Sequence, residues 1–457
     1  MRVLDLNRNL FSMVNNYDDT IFSLATAVGR SATAMVRISG PRVTDLPELL
    51  GFARSEPKMA SVRILKHQKK KLDQSIVLFF KGPESYTGED VMELHLHGGR
   101  AVIEGVYNAL SAQEGFRIAE NGEFSKRAVI NGRIDLTEAE GINDLINAET
   151  EAQREQGLNQ LEGALRLQLE KWSNDLKGFG AHIEAYIDFP DEQIPKSVLN
   201  ELIQRVEETN RELIEFSDDD RKGEILRSGL KVAVIGPPNV GKSSFVNWLT
   251  KRDIAITSDK AGTTRDVVEA HLDLGGYPVT VADTAGMRAS EDTIEREGIR
   301  RARIWAESAD LRVLILDPET IEDANAFSDL LKNGDPVLMN KVDRVTIDKK
   351  KMGAVYSLVS VKTGYGMESM LSELTAIAKK KMETQGPITM TQARHRAHLN
   401  DCLAALKKAH FGLKTDAHLE LIAEDFRSAI YCIGRITGHI DIEDLLDVVF
   451  REFCIGK

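Results

Sequence analysis

The clearest periodicity in the chain runs from Leu158 to Ile183. Leu158, Leu161, Leu165, Leu169, Trp172, Leu176, Phe179 and Ile183 recur at intervals of three and four. This spacing predicts one long amphipathic helix with a wide apolar stripe, stopped by proline near Asp188-Phe189-Pro190. A second helical run is expected over residues 198–216. Earlier in the chain, residues 91–97 (VMELHLH) alternate strictly. Met92, Leu94 and Leu96 fall on one side and Glu93, His95 and His97 on the other, so a half-buried strand is predicted. Gly98 and Gly99 close it, and AVIEGVYNAL then reads as a helix.

Lys231-Val232-Ala233-Val234-Ile235 reads as a short buried strand running straight into glycine. From there to about residue 380, strands and helices alternate, the pattern of an open, largely parallel sheet. After Pro387 the helical period returns. Leu419, Ile422, Phe426, Ile430 and Ile433 mark one helix, and residues 445–453 another. Helices on both sides of the α/β segment each carry an apolar stripe to bury, so they are expected to pack together around an inserted α/β domain. The expected division is 1–132, 133–227, 228–382 and 383–457.

With 457 residues, the chain exceeds a single hydrophobic core, and about two to four domains are expected. An apolar fraction of 42% argues against large-scale disorder, and no apolar run is long enough for a membrane helix. The first twenty residues lack the apolar core of a secretory signal, and Met13 is an alternative start. The three cysteines, Cys402, Cys432 and Cys454, have no CxxC spacing, which fits a reducing cytoplasm. A net charge of −12 disfavours global adhesion to nucleic acid. Two basic clusters, at residues 66–71 and 394–398, are either solvated surface or local RNA contacts.

The chemistry begins at Gly236-Pro237-Pro238-Asn239-Val240-Gly241-Lys242-Ser243, which matches the phosphate-loop pattern between a strand and the helix-like SFVNWLT. Backbone N–H groups in such a loop wrap phosphates, and the helix N-terminus favours negative charge. Lys242 is expected to reach the β- and γ-phosphates, and the Ser243 hydroxyl to ligate Mg²⁺. Gly262-Thr263-Thr264-Arg265-Asp266 then supplies a threonine that can complete the Mg²⁺ shell. Asp283-Thr284-Ala285-Gly286 follows an apolar strand. Asp283 is expected to hold Mg²⁺ through water, and the Gly286 N–H to sense the γ-phosphate. Asn340-Lys341-Val342-Asp343 follows another strand. Asp343 can accept from guanine N1–H and the 2-amino group, donors that adenine does not present there. Ser360-Val361-Lys362 lies where a base-packing loop belongs. The order predicts a GTP/GDP-binding, Ras-like P-loop GTPase domain of mixed, mostly parallel sheet. It is inserted in an all-α helical domain, with an α+β domain ahead of it.

After Asp-Thr-Ala-Gly stands Met287, which cannot orient an attacking water as glutamine does. Glu295 is a candidate for that task, or one solvated charge among Glu291, Asp292 and Glu297. No single cis arginine is identifiable to neutralise transition-state charge. Asn239 either offers a side-chain carbonyl to a monovalent cation or simply forms the turn.

Further residues carry a more specific likeness. They are Ala25-Thr26, Gly29-Arg30, residues 36–40 (VRISG), residues 86–90 (YTGED) with Glu93 and His97-Gly98-Gly99, residues 122–125 (GEFS), residues 185–190 (AYIDFP) and the terminal Cys454-Ile455-Gly456-Lys457. With them the chain resembles, over nearly all its length, the MnmE (TrmE) family of tRNA modification GTPases, of the TrmE-Era-EngA-YihA-Septin-like class. The resemblance implies a cytoplasmic homodimer, with no membrane association, that joins the flavoprotein MnmG in a heterotetramer. Together they would place aminomethyl or carboxymethylaminomethyl groups on carbon 5 of the wobble uridine of certain tRNAs. It implies a one-carbon unit from 5-formyltetrahydrofolate or a related tetrahydrofolate, contacted by Arg37, Glu93, Arg133 and Lys457. A carboxylate suits a pterin ring and cations suit a glutamate tail. By themselves Glu93, His95 and His97 also read as a polar strand face.

The family also resembles K⁺-activated GTPases. On that likeness Asn239 and Thr263 side chains and backbone oxygens of Ser258 and Lys260 would hold K⁺, Thr264 would ligate Mg²⁺, and Glu295 would orient water. Val240, Gly241, Ser244, Thr284, Ala285, Asn340 and Lys341 complete the expected nucleotide contacts. Cys454, near the Lys457 ammonium, is either a nucleophile or a small buried residue. Two departures stand out: Gly29-Arg30-Ser31-Ala32 replaces a Gly-Arg-Gly-Gly stretch, and Arg133 stands where lysine is common. The rival readings are a ribosome-assembly switch GTPase without RNA-modifying chemistry, and a folate-dependent transferase with a degenerate GTPase domain. The acidic helical return and the intact Lys242, Ser243, Asp283 and Asp343 weigh against them.

Overall fold

The computed structural model describes residues 18–189, 196–252, 254–256, 268–283, 303–344, 356–384, 386–415, 417–440, 446, 449–451, 453 and 456. They fall into two compact units, one built from residues up to 140 with those from 433 onward, the other from residues 141–432.

In the first unit, six strands form one sheet: β1 (Thr20–Leu24), β2 (Thr33–Ser39), β3 (Ser61–His67), β4 (Lys70–Phe80), β5 (Val91–His97) and β6 (Phe116–Ile118). Their order is β3-β4-β5-β2-β1-β6. All neighbours are antiparallel except β1 and β6. The alternation read at residues 91–97 is observed: Met92, Leu94 and Leu96 are buried with Phe22, Val36 and Ile38, and helix α1 (Arg100–Ser111) brings Val106 and Leu110 to the same core. The basic run at residues 66–71 is the β3–β4 turn, where Gln68 and Lys69 have positive φ and Lys69 to Lys71 are exposed.

The other face of that sheet carries Ile21, packed with Ala119 and Phe124 of helix α2 (Glu123–Ile130). The end of the chain returns to this unit, where Leu446, Phe450 and Phe453 pack on Val129, Leu136 and Ala139. Gly122, at φ +65°, leaves room for that return, since a Cβ there would come within 2.9 Å of both Phe450 and Phe453.

Helix α3 (Leu136–Ile146) leads into the second unit. The apolar stripe predicted as one helix is two, α4 (Glu151–Leu161) and α5 (Ala164–Asp188). The break is at Gly163, whose φ of +80° is left-handed and stops the hydrogen-bond ladder; ahead of it Leu158 and Leu161 are only half-buried, and Gln156, Gly157 and Gln160 form the buried face of α4. Helix α6 (Lys196–Ser217) follows, then α7 (Lys222–Ser228).

The α/β segment holds β7 (Leu230–Ile235), α8 (Lys242–Thr250), β8 (Val268–Leu274), β9 (Tyr277–Asp283), β10 (Leu311–Leu316), β11 (Val337–Met339), β12 (Ser357–Leu358) and α9 (Met367–Met382). The strand order is β12-β11-β10-β7-β9-β8, with β8 the antiparallel member. Every residue of β10 is buried, as expected for a central strand covered on both faces. Helices α10 (Ala393–Thr415) and α11 (Leu419–Thr437) complete the return, with Phe426 of α11 5.9 Å from Phe179 of α5. The α/β domain is therefore inserted in a helical domain. No helix among the described residues is long and apolar enough to cross a membrane.

The basic cluster at residues 394–398 is not a free surface patch. It forms the first turn of α10, His395 is fully buried, and Arg396 donates to Glu224 Oε1 at 2.7 Å, to Ser217 O at 2.6 Å and to Asp219. Arg396 thereby ties the chain entering the α/β segment to the chain leaving it. Gly223 allows the two to touch, because a Cβ there would collide with Met390 O.

Candidate functional site

The phosphate loop joins the end of β7 to α8, at the edge where parallel strands open a crevice. Its shape depends on backbone conformations that ordinary side chains resist. Gly236 has φ +143° and Gly241 φ +105°, and a Cβ would drive Gly236 into Ile315 O and Gly241 into Asn340 Nδ2. Asn239, at φ +62°, stands exposed in the loop. Lys242 is buried, and its Nζ donates to Gly236 O at 2.8 Å and Pro237 O at 2.7 Å, so the ammonium lies across its own loop. Val240 is buried, while Ser243 and Ser244 are exposed on the first turn of α8. The backbone of Asp283, the last residue of β9, pairs in register with Val234, two residues before Gly236.

The Asn340-Lys341-Val342-Asp343 segment sits beside this loop. Asn340 is 3% exposed, and its carboxamide joins two loops: Nδ2 donates to Val240 O at 2.7 Å and Oδ1 accepts from Val361 N at 3.1 Å. Asp343 accepts from the buried Ser360 hydroxyl at 2.6 Å. That bond holds the Asp343 carboxyl below the usual carboxylate range. An ionised, oriented acceptor at this point suits a base edge carrying two N–H donors. Lys341, at φ +59°, pairs with Asp317 Oδ2 at 2.6 Å. Burial alone would raise the Asp317 pKa, but the Lys341 ammonium and Thr320 hydroxyl outweigh it and leave it lowered.

Ser258, Lys260, Thr263, Thr264, Thr284, Ala285, Gly286, Met287, Glu295, Cys454 and Lys457 lie outside the described residues.

In the first unit, Arg37 and Glu93 are direct cross-strand partners on β2 and β5. Arg37 Nη2 lies 3.0 Å from Glu93 Oε1, with both side chains 14% exposed. His95 Nε2 stands 3.6 Å from the other Glu93 oxygen. The Arg37 guanidinium also lies 4.9 Å from the centre of the Tyr86 ring and 5.9 Å from that of Phe124. Burial raises the Tyr86 pKa and keeps it a neutral phenol. This is a carboxylate and a guanidinium in an aromatic setting, fit for a flat, polar-edged ring. Arg133 is exposed beside Gly88, and His97 turns to Asp73 Oδ1 at 2.7 Å.

Three features escaped sequence reasoning: Asp317 as the partner of Lys341, Asn340 as a bridge between loops, and Arg127 beneath the YTGED loop. Only Asp317 had a usable signal, its place at the C-terminal end of an apolar parallel strand.

Comparison with known proteins gives one consistent answer. The family model described as MnmE helical domain matches residues 136–454, and that described as GTP-binding protein TrmE N-terminus matches residues 20–133. A relative from Parvibaculum lavamentivorans, named tRNA modification GTPase MnmE, is 46% identical over 442 residues, covering 96% of this chain and 100% of that protein. Relatives of the same name from Rhodospirillum rubrum and Caulobacter vibrioides are 45% and 43% identical, each over 96% of this chain and 99% and 100% of their own lengths.

Proposed function

The chain belongs to the MnmE family of tRNA modification GTPases, and on that premise we propose that it is a K⁺-activated GTPase serving folate-dependent modification of the tRNA wobble uridine. The observation that carries the guanine-nucleotide reading is the pair of loops locked by Asn340, with the Asp343 carboxylate aimed by Ser360. Asp343 would accept from guanine N1–H and the 2-amino group, and backbone N–H groups from Asn239 to Ser244 would surround the phosphates. Lys242 exchanges the carbonyls of Gly236 and Pro237 for phosphate oxygens as the nucleotide enters.

Ser243, Thr264 and, through water, Asp283 would hold Mg²⁺. Asn239 and Thr263, with backbone oxygens of Ser258 and Lys260, would hold K⁺, which supplies the positive charge that an arginine provides elsewhere. The exposed Asn239 in the loop fits this, since K⁺ takes neutral oxygen donors. Glu295 would orient the attacking water.

In the N-terminal segment, Glu93 would accept from the amino edge of a tetrahydrofolate pterin, while Arg37, Arg133 and Lys457 supply cations. The half-buried Arg37–Glu93 pair beside Tyr86 supports this reading. The bound folate would supply the one-carbon unit, with Cys454 as a candidate nucleophile. In this reading residues 1–132 bind folate and dimerise, 133–227 and 383–457 form the helical domain, and 228–382 hydrolyse GTP. The protein acts as a homodimer in the cytoplasm, with MnmG and tRNA as partners.

The test is steady-state GTP hydrolysis by the full chain in K⁺ and in Na⁺, beside Asn239→Ala. Acceleration by K⁺ that is lost in the variant is expected. Equal rates in the two salts overturn the cation mechanism.

A further inference from the structure

Two motifs, residues 86–90 and 122–125, find no work in the nucleotide chemistry, and the structure links them through Arg127. This side chain has no exposed surface, and its guanidinium reaches Asp19 Oδ1 at 2.8 Å, Glu89 Oε1 at 3.1 Å and Glu123 Oε1 at 3.0 Å. A guanidinium taken out of water is costly unless paired, and three carboxylates meet that need. Glu89 passes the constraint on. Its Oε2 accepts from Ser39 Oγ at 2.6 Å, Ser39 Oγ lies 2.7 Å from Thr87 Oγ1, and Glu89 N donates to Thr87 Oγ1 at 3.2 Å. Asn131 Nδ2 closes the loop on Thr87 O at 2.7 Å.

The relay runs beside Arg37: one end lies on the same face of β2, and the other adjoins Tyr86, which touches Arg37. Ser39 is two residues along β2 from Arg37 and so shares its face of the sheet. Tyr86, next to Thr87, lays its ring against the Arg37 guanidinium and is pinned by its hydroxyl to Ser125 Oγ at 2.7 Å. Arg37 is therefore held by Glu93 on one side and by a loop whose position Glu89 sets on the other. We propose that Glu89, anchored by Arg127, is a positioning residue for the Arg37–Glu93 site, fixing the 86–90 loop so that Arg37 is presented to the folate. The inference rests on the folate reading above.

Calorimetric titration of the full chain with 5-formyltetrahydrofolate tests it. Glu89→Gln keeps the size of the side chain, removes the charge that Arg127 faces, and is expected to weaken binding about tenfold. Ser39→Ala leaves the Arg127 pairs intact and is expected to weaken binding in the same direction, with a thermal midpoint lowered by the loss of its buried hydrogen bonds but still well above the titration temperature. In an Arg37→Lys background, where the guanidinium being positioned is gone, Glu89→Gln is expected to add less than about twofold. Unchanged affinity in Glu89→Gln, or the same loss in both backgrounds, overturns the positioning role while leaving the folate reading intact. Absence of binding by the unsubstituted chain overturns the folate reading and this inference with it.

Discussion

Asn340→Ala is the most informative single truncation in the nucleotide site. The side chain is 3% exposed and makes one hydrogen bond to each of two loops, at 2.7 Å to Val240 O and 3.1 Å to Val361 N. Removing it leaves a carbonyl and an N–H unpaired, each costing about 1–3 kcal/mol. Taking the lower half of that range for each, since solvent can reach a loosened loop, gives a total of roughly 3 kcal/mol. The loss divides between stability of the free protein and affinity for nucleotide, because the bridge exists before the nucleotide arrives. If half falls on binding, affinity drops by about tenfold. Equilibrium titration with a fluorescent GDP analogue, together with thermal melting with and without GDP, separates the two parts. A variant with affinity within about twofold of the parent and an unchanged melting point would refute the view that this bridge organises the site.

Three further predictions follow from other parts of the molecule. Gly223→Ala should destabilise by about 1–3 kcal/mol in denaturant unfolding, because its Cβ has no space against Met390 O at the crossing of the two connections. Cys402 should resist iodoacetamide in the native protein at pH 8 and react on unfolding, since burial, then the neighbouring Cys432, pushes its thiol up to about 12. For the acid limb, burial opposes ionisation of Glu123, but Arg117 and Arg127 prevail and its folded pKa is lowered. A lowered folded pKa gives stability that is complete above the unfolded value near about 4 and lost as pH falls through the folded value. The Glu123 contribution should thus be flat from pH 7 to about 5 and fall below that, and it is read from the difference in melting point between the parent and Glu123→Gln. Glu123→Gln should flatten the acid slope, and an identical slope would contradict the assignment.

Much of the architecture was legible because periodicity reports burial directly. The strand at residues 91–97 and the short strand before Gly236 could be read from their side-chain pattern, as could the apolar stripe from Leu165 to Ile183. Periodicity did not reveal the break at Gly163, because the spacing of Leu158, Leu161 and Leu165 runs on through it in sequence while the buried face of α4 is Gln156, Gly157 and Gln160. Nor did it single out helix α10, whose buried face mixes Leu399, Leu403, Leu406 and Leu413 with His395, Cys402, Ala405, Ala409 and Gly412, so small and polar residues interrupt the apolar stripe. The phosphate and base loops were readable from motifs because their chemistry is local in sequence. The bonds between Asn340 and Val240, Lys341 and Asp317, and Arg127 and Glu89 span 100, 24 and 38 residues, and no local pattern encodes them.

The central claim is that GTP turnover by this chain serves modification of tRNA. The most direct measurement is nucleoside mass spectrometry of tRNA from cells lacking the gene, complemented with the unsubstituted chain or with Asn340→Ala. The account predicts a C5-aminomethyl or carboxymethylaminomethyl uridine at the wobble position with the unsubstituted chain, none in its absence, and a reduced level with the variant. The same wobble nucleosides with and without the chain would contradict it.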